Sequence, residues 1–385
     1  MNPNFADLPT TIFEDMSIRA RERGAINLGQ GFPDAEGPED VRRAAAEATI
    51  NGPNQYPPMR GIPALRKAIA DHYAHHQDLA IDGDKEVVVT SGATEALAAS
   101  ILGLVRPGDE AIIVQPAYDA YAPLVRQAGG TPRFIRSGPP DWTITRDSLE
   151  AAITDKTRVI ILNSPHNPTA TMLSETELRL LAEVCKTHDL VAICDEVWEH
   201  LTFDGRTHKS LMAMSGMEAR TVKIGSAGKI FSLTGWKVGW AIAAPPLANV
   251  IAKTHQFLTF TTPPNLQAGV AYGLSKNDSY FDDMRADFQR SRDRLSTALS
   301  QTGFSILPCA ATYFLSVDLE ASGIALGDRD FAIRLVEDAG VAVIPISPFY
   351  ESDPVTSIVR LCFAKGDEML DQAAERLATA RKLFT

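Results

Sequence analysis

A lysine serves as nucleophile or base only when its amine is held largely uncharged, and the residues around Lys229 could hold it so. It lies in KIGSAGKIFSLTGWKVGW, residues 223–240, with glycines at 225, 228, 235 and 239 and serines at 226 and 232. Small residues let backbone and ligand approach closely. Ser226 and Lys237 flank Lys229 at spacings suited to a loop wrapped around an anion. Burial in a partly apolar pocket lowers a lysine pKa and frees the amine for Schiff-base chemistry. The stretch is also a weak context for a helix, and taken alone it reads more readily as a glycine-rich surface loop with two solvated lysines.

Four other features reverse that preference. VVVTSG, residues 87–92, has the pattern of a short buried strand and runs into the apolar helix ATEALAASILGLV. Ser91, Gly92, Ala93 and Thr94 therefore fall at a strand-to-helix turn, where free amides and the helix dipole can receive a phosphate. An ordinary N-cap by Ser91 or Thr94 uses the same residues. Tyr118 and Tyr121 follow the strand AIIVQP, at the carboxyl end where open α/β sheets bind ligands; either could stack on a flat ring or serve the core. Asp195 and Glu196 close the apolar strand of LVAICDEVW, and a carboxylate there needs a partner, with Asp195 the candidate for pairing with a buried cation. Arg360 stands in SIVRLCF, where burial is costly unless the guanidinium meets an anion. A ligand carboxylate would take it bidentately; Asp318 or Glu337 would satisfy it within the protein. The set describes a pocket for a flat, phosphorylated, cationic-ring aldehyde and an amine that carries a carboxylate.

The elements that must hold these residues alternate. From residue 86 strand and helix patterns follow one another, which gives an α/β fold with a mainly parallel, doubly wound sheet and helices on both faces. SETELRLLAEVCKTHD opens with Ser174 and has Glu177 three residues on, a capping box. After about residue 276 a long helix leads to strands near 304–307, 313–317, 341–344 and 357–363. The expected division is an N-terminal arm, 1–45, a large domain, 46–275, and a smaller α+β domain, 276–385, packed with the arm. Gly29-x-Gly31 lacks the third glycine and the strand–helix setting of a dinucleotide loop, which disfavours a nicotinamide dehydrogenase. His72, His75 and His76 have metal-ligand spacing on one helix, but no partner carboxylate is visible beside them and no metal site is assigned.

Composition bounds the partners. The 385 residues carry 37 Lys and Arg against 48 Asp and Glu, a net charge of −11. An acidic chain disfavours nucleic acid and anionic membrane surfaces. Apolar and charged contents of 45% and 22% are those of an ordinary globular protein. Cys185, Cys194, Cys309 and Cys362 form no C-x-x-C pair and read as buried reduced thiols in a cytoplasmic protein. MNPNFADLPT shows neither the basic nor the apolar region of a secretory leader, and no apolar run reaches the ~18 residues of a membrane span.

The stretches LGQGFPD, NQYPPMRG, TSGATEAL, QPAYDAY, NSPHNPT, CDEVW, SAGKIFSLTGWKVGW and SIVRLCFAK, spread almost end to end, together resemble the fold-type I, pyridoxal-phosphate-dependent class I/II aminotransferases, in particular the branch of kynurenine, glutamine and methionine aminotransferases. The resemblance implies pyridoxal 5'-phosphate on a sheet of the seven-stranded type, with an amino acid and a 2-oxo acid as substrates and ping-pong kinetics. By it, Lys229 forms the Schiff base and moves the Cα proton, while Asp195 keeps the ring nitrogen protonated. Asn167 bonds the ring hydroxyl and Tyr118 stacks on the ring. Ser226, Lys237 and the turn at Ser91, Gly92, Ala93 and Thr94 hold the phosphate, joined by Tyr56 of a neighbouring subunit. Arg360, Asn167 and the Gly31 amide hold the substrate carboxylate.

The resemblance also implies a homodimer with shared sites, with Thr261 and Thr262 reaching toward the partner, and cis peptides before Pro116 and Pro168. Side-chain specificity is expected from positions such as Ile12, Phe13, Glu95 and Tyr121. No second arginine is identifiable for a dicarboxylate, which favours neutral amino acids. Two residues depart from the family pattern. Trp198 replaces a tyrosine that bonds the ring oxygen; an indole is a donor only, on a larger frame, so the Schiff-base pKa is expected to rise if it does not reach. Ala170 replaces a glycine, so the loop is expected to be set differently. A β-lyase acting on cysteine conjugates or cystathionine would use the same residues, and a non-catalytic sensor domain would need a DNA-binding region that residues 1–45 do not provide.

Overall fold

The structure is a computed structural model and describes residues 2–6 and 8–384. Its centre is a seven-stranded sheet. Along it stand Val87–Thr90, Gly239–Ala243, Thr221–Ser226, Val191–Asp195, Thr157–Asn163, Glu110–Gln115 and Thr131–Arg136. All neighbours run parallel except Gly239–Ala243, which is antiparallel to both of its own. The strands are nearly continuous apolar runs buried on both faces, as parallel strands covered by crossover helices must be. Every parallel strand delivers its carboxyl end to the same edge, so Ser226, Asp195 and Asn163 finish there side by side.

A second, four-stranded antiparallel sheet has the order Ile344–Pro345, Ile358–Cys362, Phe314–Asp318, Ser305–Ile306. Near its first strand, Ile26–Asn27 pairs in parallel with Val341–Ala342, which ties the N-terminal segment to this part of the chain. The long helix Asp278–Gln301 leads into the sheet and Asp367–Phe384 packs beside that helix. The run expected near 341–344 is split into two short strands.

Local chemistry explains several boundaries. The capping box at Ser174 forms, with the Ser174 hydroxyl accepting from the Glu177 amide and Glu177 accepting from the Ser174 amide. A second box, Thr145 with Ser148, opens Arg146–Ala152; such caps contribute about 1 kcal/mol each. The peptides before Pro116 and Pro168 are cis, as the resemblance implied. Ala170 stands where the resemblance has a glycine. It adopts the left-handed conformation, φ 61°, that a glycine would take freely. Its amide donates to the His166 carbonyl at 2.9 Å, and its carbonyl accepts from the amides of Ala310 and Ala311. Three backbone bonds offset the roughly 1–2 kcal/mol that a side chain costs there.

Candidate active site

Lys229 sits in a helical turn at the end of a strand. Strand Thr221–Ser226 passes directly into a one-turn helix, Ala227–Ile230, capped by the Ser226 hydroxyl, which accepts from the Gly228 amide. The turn aims Lys229 into a cavity of about 480 Å³. Burial lowers its pKa to about 8, with Asp195 opposing the shift and Arg360 and Lys237 adding to it. The Lys229 Nζ lies 3.1 Å from the Tyr313 hydroxyl and 4.6 Å from the centre of the Trp198 ring. Trp198 meets Tyr313 edge to face at 4.3 Å. The indole thus closes the wall beside the lysine with its π face, while the hydroxyl nearest that amine belongs to Tyr313.

Asp195 ends the adjacent strand. Its Oδ2 accepts from the Tyr121 hydroxyl at 2.7 Å, and burial raises its pKa to about 6. The segment after it is fixed from behind. Glu196 and Glu199 turn away from the cavity onto Lys223, which is 0% exposed. Glu196 also accepts from Ser210 and bonds His208, and Glu199 accepts from Tyr73 and Gln77. Burial would raise the Glu196 pKa, but Lys223 and His208 hold it down at about 2. This ionic frame anchors the chain immediately after Asp195 and on both sides of Trp198, which lies between its two glutamates.

The turn after Val87–Thr90 carries Gly92, Ala93 and Thr94 to the cavity wall, where Ser226 and Lys237 join them. Gly92 has φ +76°, and a Cβ there would come within 3.1 Å of the Lys237 Cε. A Cβ on Gly239 would come within 2.7 Å of the Ala93 amide nitrogen. Both glycines are therefore needed for the amides and the ammonium to crowd one point. Among the described residues no carboxylate pairs with Lys237. Amides, a hydroxyl and an ammonium converging on one spot are the donor set of a phosphate dianion. Ser91 departs from expectation. Its side chain makes no cap bond, its amide donates to Glu95, and it does not line the cavity.

Arg360, 1% exposed, projects from the middle of Ile358–Cys362. It donates to Asn167 Oδ1 at 2.6 Å and to the Gly29 carbonyl at 3.0 Å, and its Nε has no partner. The Phe314 ring lies 3.9 Å from the guanidinium carbon. Burial lowers the Arg360 pKa to about 10. Neither protein carboxylate considered from the sequence reaches it. Asp318 accepts from the Ala321 amide, and Glu337 stands near Arg19. Among the described residues Arg360 has no ion-pair partner, so its charge is left for something in the cavity.

Tyr118, Asn167 and Gly31 also line this cavity. Tyr56 does not: it is 83% exposed and stacks edge-on against Phe260. Of the specificity positions only Phe13 is on the wall; Tyr121 instead holds Asp195, and Glu95 bonds His255. Sequence reasoning missed Asn163, whose side chain accepts from the Asn167 amide and donates to the Asp195 carbonyl. It also missed Tyr313 as a contact of Lys229. A polar residue closing each strand at the same sheet edge was the available signal for Asn163.

Fold and site define one class: the chain belongs to the class I and II aminotransferases, whose sequence profile matches residues 23–377. It is an α/β aminotransferase of fold type I, and members of this family generally use pyridoxal phosphate. Among its relatives is a probable N-succinyldiaminopimelate aminotransferase of Mycobacterium tuberculosis, 41% identical over 96% of each chain. A methionine aminotransferase of Escherichia coli is 40% identical, again over 96% of each. A crystal structure of an Escherichia coli protein with a methionine aminotransferase function superposes with a TM-score of 0.95, at 39% identity, over 98% of this chain and 99% of that one. No helix among the described residues is long and apolar enough to cross a membrane.

Proposed function

We propose that this aminotransferase binds pyridoxal 5'-phosphate through Lys229 and moves amino groups from neutral L-amino acids to a 2-oxo acid by a ping-pong mechanism. The observation that carries it is the buried, carboxylate-free Arg360 facing the same cavity as Lys229 and Asp195. When bound, the cofactor supplies an aldehyde for amine exchange and a protonated ring that draws electrons from the substrate Cα. Lys237, Ser226 and the amides of Gly92, Ala93 and Thr94 hold its phosphate. Asp195 offers a carboxylate to the ring nitrogen, Tyr118 a face to the ring, and Asn167 a hydrogen bond to the ring hydroxyl. Arg360, with Asn167 and Gly31, clamps the substrate carboxylate. That clamp fixes the Cα–H bond toward Lys229, which takes and returns the proton. Arg360→Lys keeps the charge but loses the bidentate fork, so kcat/KM should fall about 10²-fold with a raised KM. An unchanged KM would remove Arg360 from the role.

The side-chain end of the cavity supports neutral substrates. The cations lining the whole cavity are Lys229, Lys237 and Arg360, all committed elsewhere, and Glu14 adds a negative charge to a wall that also carries Phe13 and Phe32. The Mycobacterium tuberculosis relative is named for a substrate with further carboxylates, which nothing on this wall would neutralise. Following loss of the cofactor's visible band with each of the twenty amino acids should show reaction with methionine, glutamine and aromatic side chains. Reaction with aspartate or glutamate alone would overturn the reading. Pyruvate and ammonia released without a 2-oxo acid acceptor would favour the β-lyase.

Tyr56 and Phe257, 83% and 86% exposed, sit on a surface that suits a second copy of the chain. A homodimer would bring that copy's Tyr56 to the phosphate and its Thr261 and Thr262 toward the site. Four free cysteines fit the cytoplasm. The arm 1–45, large domain 46–275 and small domain 276–385 are the units we assign, with the site between them. Trp198 turns its π face to Lys229, and an indole so placed would offer the ring oxygen no hydroxyl. The Schiff-base pKa should therefore be raised, and a pH titration of the visible absorbance giving an ordinary low value would contradict this.

A further inference from the structure

The three histidines that share metal-ligand spacing on Pro63–Gln77 separate in the fold. His72 is buried, 3% exposed, and its Nε2 lies 2.7 Å from the Nε2 of His200. His75 and His76, in the last turn of the helix, face the first turn of the long helix Asp278–Gln301. There Asp278 supplies the carboxylate that the sequence around the histidines lacks: its Oδ1 lies 2.7 Å from the His75 Nε2. One ligand atom from each of His75, His76 and Asp278 falls within 4.8 Å of the other two. We propose that these three residues form a divalent transition-metal site, remote from the cavity of Lys229, that fastens the two helices together.

Two imidazoles and one carboxylate with an open position form a known set for zinc and neighbouring divalent metals. Donors about 2.0–2.2 Å from such an ion stand roughly 3–3.5 Å apart, so the present spread closes by side-chain rotation. His75 and Asp278, 63% and 62% exposed, can rotate. His76 is the anchored member, its ring packed 4.8 Å from Phe281 and 5.1 Å from His200. The histidines lie at a helix C-terminus, whose unpaired carbonyls favour a cation. The nearest arginine on the facing helix, Arg285, is already paired with Asp282. The other cluster of comparable composition, Glu196, Glu199 and His208, is filled by the Lys223 ammonium and takes no ion.

Equilibrium dialysis of the chelator-treated holoenzyme against zinc chloride tests the site. The expected result is one zinc per chain at micromolar concentrations, with a higher unfolding temperature in zinc than in chelator. His76→Ala and Asp278→Asn should each weaken binding at least about 10-fold and abolish the thermal shift, while leaving transamination intact. The exposed Asp278→Asn change keeps the fold, so loss of binding in that variant reads on the site alone. No saturable zinc uptake, or uptake that both variants retain, would overturn the proposal and leave His75–Asp278 as a surface hydrogen bond.

Discussion

Lys229→Ala is expected to lower transamination by about 10⁴-fold or more, because in the proposed function one side chain provides both the covalent anchor and the base. The amine is suited to both tasks by burial, which brings its pKa to about 8. Below that pH the free lysine carries a proton and cannot accept another; above it the base form dominates. The proton-transfer step of the wild type should therefore rise as pH increases through about 8. In the variant that dependence disappears, and a small added amine should restore part of the rate with a pH profile of its own. Steady-state kinetics with and without methylamine checks this. Activity within 10-fold of wild type would remove Lys229 from the chemistry.

Asp195→Asn should be the next most damaging change, with kcat lowered about 10²- to 10³-fold. The substitution preserves shape and a partner for the Tyr121 hydroxyl but removes the charge. An opposite charge in contact shifts a partner's pKa by about 1–3 units, and each unit is tenfold in the population of the protonated ring. The pH dependence has a definite sign. Burial raises the Asp195 pKa to about 6, so the carboxylate is ionised above that value and neutral below it. Affinity of the cofactor-free protein for pyridoxal phosphate should fall as pH drops below about 6 in the wild type and stay flatter in Asp195→Asn. Equal pH profiles for the two proteins would contradict the assigned pairing.

Much of the fold could be read from the chain because the sheet strands are short apolar runs ended by polar residues. Asp195 and Ser226 close such runs, and both arrive at one edge. Arg360 was legible for the opposite reason, being a charge inside an apolar strand with no neighbour to neutralise it. What escaped depends on tertiary reach. Tyr313 lies 84 positions from Lys229 and Tyr121 lies 74 from Asp195, so neither hydroxyl contact has a local signature. The residues around Lys229 read as a weak context for a helix because several are poor helix formers. A single turn held by the Ser226 cap is short enough to override that propensity. Ala170 shows the same override, since its surrounding backbone bonds dictate a conformation its own side chain resists. Asp278 is the clearest case: three histidines were set aside for lack of a carboxylate, and the fold brings one to His75 from a helix some 200 residues on.

The proposed chemistry requires a covalent bond between one amine and the cofactor aldehyde. Borohydride reduction of the holoenzyme followed by peptide mapping tests it most directly. The expected product carries a pyridoxyl group on Lys229 and on no other lysine. A label on any other side chain, or a protein that remains colourless with the aldehyde and takes up no label, would contradict it.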